Sequence, residues 1–242
     1  MILAFGDSKK GLVRKINEDS INLNTNHLYV LADGMGGYSG GQIASSLAVQ
    51  NVGNYFETRK ADFSEDTLKD AFFMANSAII NTKKESPELH SMGTTMIAAA
   101  IKENTLYWAH VGDSRLYKRQ NHVFEQITTD HSFVMELVAE GKISKEEMRV
   151  HPRKNEITRA VGIEEPLKVD TGSFNLVDDT CILICSDGVT SMIKDDEIEF
   201  LISSNPRKTE QDMKELGNQI MDKVYQAGAR DNASLILIQF WG

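Results

Sequence analysis

Leu28-Tyr29-Val30-Leu31-Ala32-Asp33-Gly34 is an apolar run that ends in an aspartate beside a glycine. The pattern recurs where Leu106-Tyr107-Trp108-Ala109-His110-Val111 meets Gly112-Asp113, and where Cys181-Ile182-Leu183-Ile184-Cys185-Ser186 meets Asp187-Gly188. Two more acidic clusters flank apolar runs: Asn17-Glu18-Asp19 before Ser20-Ile21-Asn22-Leu23, and Asp231-Asn232 before Ala233-Ser234-Leu235-Ile236-Leu237-Ile238. Apolar runs bounded by turn residues read as buried strands. One Asp-Gly after a strand marks only a turn. Acidic residues repeated at the ends of several strands are a different matter: if those ends converge, the carboxylates repel one another unless cations hold them.

Working outward, strands are expected near 2–6, 20–24, 27–33, 94–102, 104–111, 114–118, 123–127, 167–174, 180–186 and 233–240. Helices are expected near 40–57, 65–84, 131–140, 144–148, 195–203 and 209–227. Ile43, Leu47, Val52 and Phe56 share one side of the first helix, and Leu68, Phe72, Ala75 and Ile79 recur at helical spacing in the second. Ser64-Glu65-Asp66-Thr67 places acidic residues in the second helix's first turn. Consecutive strands interrupted by helical pairs argue for antiparallel sheets rather than a βαβ array. The expected fold is α+β: a four-layer α-β-β-α sandwich, two antiparallel sheets between helical layers, with the acidic strand ends at one edge.

The chain has 242 residues and no stretch that reads as a flexible linker, so one domain over 1–242 is expected. Its formal net charge of -9 disfavours nucleic acid and anionic membrane surfaces as partners. The N-terminus meets charge at Asp7, too early for a secretory signal, and no apolar stretch approaches bilayer length. Cys181 and Cys185 share one face of a strand and read as small buried side chains. A reducing, cytoplasmic setting fits these features. No long heptad pattern occurs, so a monomer is expected.

The candidate ligands are oxygen donors, which suit Mg2+ or Mn2+ rather than zinc. Two such ions about 3.5–4 Å apart activate a water and stabilise a transferring phosphoryl group. Gly34 lets a metal or its water approach the backbone carbonyl.

The chain resembles the bacterial metal-dependent protein phosphatases, the PP2C-like or PPM serine/threonine phosphatases. The matching pieces run nearly end to end in the family's order. They are Arg14-Lys15-Ile16-Asn17-Glu18-Asp19, Ala32-Asp33-Gly34-Met35-Gly36-Gly37, Gly93-Thr94-Thr95, Val111-Gly112-Asp113-Ser114-Arg115, Thr129-Asp130-His131-Ser132, His151-Pro152-Arg153, Ile157-Thr158-Arg159-Ala160-Val161-Gly162, Ser186-Asp187-Gly188 and Arg230-Asp231-Asn232-Ala233-Ser234. The resemblance implies hydrolysis of phosphoserine and phosphothreonine on proteins by a dinuclear Mn2+ or Mg2+ centre whose bridging water attacks phosphorus. By that resemblance Asp33 bridges two ions, the Gly34 carbonyl binds one, and Asp187 and Asp231 complete the second ion's protein ligands. Asp113 and Asp187 correspond to a third, weaker metal; Glu18 and Asp19 hold metal-bound waters; Arg14 grips the phosphate. The segment from about 130 to 165 resembles the family's flap and carries Lys142, Lys145, Arg149, His151, Arg153 and Lys154. The implied partners are phosphorylated proteins, among them a cognate serine/threonine kinase and its targets.

Two departures stand out. Met35 occupies the position of a histidine that is the expected acid in eukaryotic relatives, leaving the acid unassigned: a metal-bound water comes first, His151 second. Lys9 stands where relatives often carry an aspartate, with Asp7 two residues further back. Two other classes remain in view: a pseudophosphatase, which would be expected to lose ligands, and a two-metal nuclease, which would be expected to carry a basic stripe. A specialised phosphatase acting on a sigma-factor regulator is a narrower version of the main reading.

Overall fold

Strand β10 (Thr180–Cys185) is buried along its whole length because it has a hydrophobic layer on each face. Cys181, Leu183 and Cys185 pack toward helices, while Ile182 and Ile184 pack toward a second sheet. The last strand, β11 (Ala233–Phe240), divides in the same way, with Leu235 and Leu237 on one side and Ile236 and Ile238 on the other. This is why both read as continuous apolar runs rather than alternating ones. The computed structural model describes residues 1–23, 26–37, 39–148, 150–163 and 165–242. The final position of the strand expected over 20–24 and the flap residue Arg149 lie outside the described residues.

One antiparallel sheet has the order β1-β11-β10-β7-β8, with β1 at Ile2–Lys9, β7 at Arg115–Gln120 and β8 at Val123–Gln126. The other has the order β2-β3-β5-β6-β9, with β2 at Asp19–Leu23, β3 at Leu28–Met35, β5 at Met96–Lys102, β6 at Thr105–Val111 and β9 at Asp170–Asn175. A short strand β4 (Gly93–Thr94) pairs with the end of β3. Between the sheets lie Leu31, Ile97, Leu106, Leu116, Ile182 and Ile236, among others. Full burial of each such side chain contributes about 1.5–3 kcal/mol before entropic costs.

Helices α1 (Gly40–Arg59) and α2 (Glu65–Glu85) cover the second sheet, where Leu68, Phe72, Ala75 and Ile79 form the buried stripe read from the sequence. Ser64 caps α2 through a reciprocal pair of hydrogen bonds with Thr67. The first sheet is covered by α6 (Asp195–Ser204), α7 (Glu210–Gln226) and a four-residue turn of helix, α5 (Asp187–Thr190), that the sequence pattern did not indicate. The expected α-β-β-α sandwich is the observed fold. No helix among the described residues is long and apolar enough to cross a membrane, and Cys181 and Cys185 are buried and free.

Several boundaries differ from expectation, three of them with a visible cause. The run at 94–102 breaks at Thr95, whose hydroxyl accepts the Asp33 N–H at 3.1 Å instead of leaving the backbone to an unbroken ladder. Strand β1 continues to Lys9 because Ser8 and Lys9 still pair with Ser234 and Ala233. Strand β9 begins at Asp170, opposite His110, where its ladder with β6 begins. The flap segment holds α3 (Phe133–Ala139) and α4 (Lys145–Met148), and its root is closed by a bridge between Ser132 and Ile157.

Candidate functional site

Five chain segments deliver acidic residues to one edge of the sandwich. Asp33, near the end of β3, lies opposite Asp19 at the start of β2. The Asp33 backbone is held on both sides: its N–H donates to Thr95 Oγ1, and its carbonyl accepts from Thr95 N at 2.8 Å and Thr94 Oγ1 at 2.9 Å. Gly34 is required by close approach. A Cβ there would stand 2.0 Å from the Gly41 carbonyl oxygen and 2.6 Å from that of Glu18. The Gly34 N–H donates to that same Glu18 carbonyl at 3.2 Å, which brings Glu18 beside Asp33.

Asp187 opens α5 directly after β10, and Asp231 precedes β11. A Cβ on Gly188 would meet the Asn232 carbonyl oxygen at 1.8 Å, so glycine allows these two segments to touch. Asp113 follows β6 in the turn to β7. Arg14 reaches in from the loop after β1 and donates from Nη2 to Asp231 Oδ2 at 2.7 Å. That loop is pinned by Asn232, whose side-chain amide donates to the carbonyls of Lys10 and Ile16 and accepts from Glu18 N.

Arg14, Glu18, Asp33, Gly34, Asp113, Asp187 and Asp231 line one cavity of about 250 Å³, together with Met35, Thr95, Asn155 and Ile157. Asp19 sits behind them, accepting from Ser186 Oγ at 2.9 Å and Ser234 Oγ at 2.6 Å through Oδ2.

The electrostatics are those of a site assembled against its own repulsion. Burial first, then the charges of Asp19, Asp187, Asp113 and Asp231, drive the Asp33 carboxyl well above its ordinary range. Burial and Asp187 do the same to Asp113. Burial and Asp231 push Asp187 up to about 6. Asp19 is raised to about 6 by burial, with the hydroxyls of Ser234 and Ser186 working the other way. Glu18 is raised by burial against the pull of Arg14. The Asp231 hydrogen bond, first, raises Arg14 against its partial burial.

Glu18 Oε1 and Asp19 Oδ1 are buried without a hydrogen bond of good geometry among the described residues, although the Gly41 backbone N–H acts on the Glu18 carboxylate and Asp33 on that of Asp19. Buried oxygens of one sign, two of them without a well-formed hydrogen bond, fit hard divalent cations. The fit is in donor chemistry rather than in a closed shell. No three Asp, Glu, His or Cys side chains among the described residues already stand in a coordination sphere, and Arg14 occupies one oxygen of Asp231.

His151, considered from the sequence as an acid, lies outside this cavity; its ring packs near Phe133, and its Nδ1 accepts the Arg153 N–H at 3.1 Å. Asp7 pairs with Lys9 at 3.2 Å. Arg115 is engaged by Asp130 in a two-pronged ion pair. Asn232, Ser186 and Ser234, which organise the site, had no assigned role from sequence. Their signal was membership of the family-matching pieces around Asp187 and Asp231, and the contacts that give them work span 167 to 222 residues.

The family model for protein phosphatase 2C matches residues 13–231. A serine/threonine phosphatase, stp, of Listeria monocytogenes is 34% identical over 238 residues, covering 95% of this chain and 92% of the relative. The Mycobacterium tuberculosis serine/threonine phosphatase PstP/Ppp superposes with a TM-score of 0.91 at 30% identity, over 100% of this chain and 99% of that one. A structure of the catalytic domain of PstP in complex with two manganese ions superposes with a TM-score of 0.88 at 30% identity, over 98% and 97%.

Proposed function

The chain belongs to the protein phosphatase 2C family and is a serine/threonine protein phosphatase, and from that premise we propose that the acidic edge is its catalytic centre, built for two Mn2+ or Mg2+ ions. The observation that carries this reading is the set of half-buried carboxylates, raised by desolvation first and then by one another's charge, around a single cavity. Such an arrangement is destabilising unless cations neutralise it. The two manganese ions in the PstP structure support it.

In this reading Asp33, the Gly34 carbonyl, Asp187 and Asp231 would hold the two ions, and Asp113 with Asp187 would serve a third. The ions supply an activated water for in-line attack on phosphorus and offset the charge that gathers on the phosphoryl oxygens. The chain's own groups do the rest. Glu18 and Asp19 accept hydrogen bonds from water and orient it; Glu18 Oε1 is free to do so. Arg14 commits Nη2 to Asp231 and has a half-exposed side chain, which leaves the rest of its planar fork for phosphate oxygens. The pair also ties the phosphate grip to a candidate ligand. No histidine lines the cavity among the described residues, and Met35 adds no proton donor. The departing serine or threonine alkoxide therefore takes its proton from water.

The same proposal covers residues 1–242 as one domain with a flap at about 130–165, a monomer acting in the cytoplasm. Its substrates are phosphoproteins, including a cognate kinase and that kinase's targets. The test is release of phosphate from a phosphothreonine peptide with Mn2+, with excess EDTA as control. Release that EDTA stops and Asp33→Asn abolishes supports the reading. A folded, Mn2+-supplied protein that releases nothing overturns it.

A further inference from the structure

The segment Thr129-Asp130-His131-Ser132, at the flap root, takes no part in the reaction described above, yet it clasps the loop carrying Asp113 from both sides. On one side Asp130 accepts from Arg115 Nε at 2.9 Å and Nη2 at 2.7 Å. On the other, His131 bonds Gly112 twice. Its backbone N–H donates to the Gly112 carbonyl at 2.7 Å, and its ring Nδ1 accepts the Gly112 N–H at 3.0 Å. Gly112 has a φ of +116°, and a Cβ there would meet Thr95 Cβ at 2.5 Å, so the loop sits directly on Thr95. Thr95 in turn bonds Asp33 N and Ser114 Oγ. The turn that positions Asp113 is thus held between Thr95 beneath and His131 beside it.

A ring nitrogen that accepts a hydrogen bond carries no proton, so a neutral His131 must be protonated on Nε2. Asp170 Oδ2 lies 3.1 Å from Nε2 and accepts that bond. Asp170 is itself fixed: Arg159 Nη1 donates to its Oδ1 at 2.9 Å and lies 3.2 Å from His131 Nε2. Burial works to raise the Asp170 carboxyl, but His131 and Arg159 outweigh it and hold it below the usual range. Burial, first, lowers His131, which favours the neutral ring. The fully buried His110 ring packs against it, centroids 4.7 Å apart, and restricts its rotation.

We propose that His131, kept in its Nε2–H tautomer by Asp170, is a positioning residue for Asp113: through Gly112 it sets where that carboxylate stands and ties its placement to the flap root. The link to the flap is direct. The His131 carbonyl accepts from Thr158 N at 2.8 Å, Ser132 bridges Ile157, and Ile157 and Asn155 line the cavity. The inference rests on the phosphatase reading, because it assigns Asp113 a place in that site.

The test compares His131→Asn, His131→Leu and Asp170→Asn. An asparagine Oδ1 can stand where Nδ1 stood and keep the Gly112 N–H bonded; leucine cannot. In Asp170→Asn, a side-chain amide that donates to Nε2 forces the proton onto Nδ1, the wrong tautomer for Gly112, as in the catalytic-triad precedent. The first readout uses metal-free wild-type protein: long-range 1H–15N correlation of the His131 ring should show an unprotonated Nδ1. The Gly112 amide resonance should stay in place in His131→Asn and move in the other two. The second readout is turnover of a phosphothreonine peptide across a Mn2+ titration. His131→Leu and Asp170→Asn should lose about tenfold in kcat, the effect of leaving a buried donor unpaired. KM should change little, and His131→Asn should restore most of the rate.

An Nδ1–H tautomer in wild-type protein overturns the proposal. So does equal kcat in His131→Leu and His131→Asn, whether both match wild type or both fall together with Tm. If His131→Leu does not fold, the wild-type tautomer and Asp170→Asn decide. Absence of wild-type turnover would be a failure of the phosphatase reading, and the ring and amide resonances would still judge the His131 assignment.

Discussion

Replacing Asp187 by asparagine should make the metal-free protein more stable while abolishing its activity. Asp187 is half-buried in the cavity wall, and desolvation there with the nearby Asp231 raises its carboxyl from an ordinary value of 3.8 to about 6. At about 1.4 kcal/mol per tenfold change in proton affinity, its ionised form at pH 7 is destabilised by about 3 kcal/mol. The sign follows from linkage. A group whose folded value lies above its unfolded value stabilises the fold fully below pH about 4, and loses that contribution as pH rises through about 6. Asparagine stays neutral throughout, so the variant's advantage should be small at pH 4 and grow to a plateau above pH 6.5. For a chain of this length, about 3 kcal/mol corresponds to about 6–12 °C in Tm. The assay is thermal unfolding followed by circular dichroism in EDTA at pH 4, 5.5 and 7.5, wild type against variant. Difference measurements cancel the titrating groups remote from the site, while Asp33, Asp113 and Asp19, which the Asp187 charge raises, relax in the variant and add to its advantage in the same direction. Addition of Mn2+ at pH 7.5 should then raise the Tm of wild type more than that of the variant, since ligand binding stabilises only the form that binds. A variant that is less stable than wild type in EDTA at pH 7.5, or a difference independent of pH, would refute the repulsion argument.

Three further outcomes are expected. Gly34→Ala places a Cβ 2.0 Å from the Gly41 carbonyl oxygen and 2.6 Å from that of Glu18, both backbone; it should lose at least the ~1–3 kcal/mol of an overpacked core, read as a lower Tm, together with most of the activity. Arg14→Ala should leave Tm nearly unchanged, because its pair with Asp231 is half exposed and worth under about 1 kcal/mol; kcat/KM should fall about ten- to hundredfold, the worth of charge-assisted hydrogen bonds, as steady-state kinetics will show. Arg207→Ala removes a buried guanidinium that bonds Asp179 at 2.8 Å, Gln239 at 2.7 Å and the Ile202 carbonyl, near the far ends of β10 and β11. Asp179 is partly exposed and keeps Arg119 at 2.9 Å, so the cost is that of the unpaired Gln239 and Ile202 groups, about 1–3 kcal/mol in urea unfolding, with kcat per folded molecule unchanged.

Much of the fold was legible because its strands are buried on two faces and its helices on one. Runs such as Thr180–Cys185 and Ala233–Phe240 need no partner to be recognised, and neither does the Leu68, Phe72, Ala75 and Ile79 stripe. What failed locally failed where a side chain displaced the ladder. Thr95 bonded Asp33 and broke a strand, and Asp187-Gly188 became the start of α5 because Gly188 lets that turn lie on Asn232.

The amino-acid order alone therefore determined the α+β layering, the family and the presence of acidic residues at strand ends, since burial periodicity and turn chemistry act over a few residues. Only the tertiary structure decided which acids meet. Asp19 and Asp33 are brought together by cross-strand register, Arg14 and Asp231 by a hydrogen bond across 217 residues, and Gly112 and His131 by a ring nitrogen at the flap root. Sequence separation carries no distance, whereas repulsion between carboxylates and the direction of a hydrogen bond depend on distance and angle, which exist only once the two sheets have packed face to face.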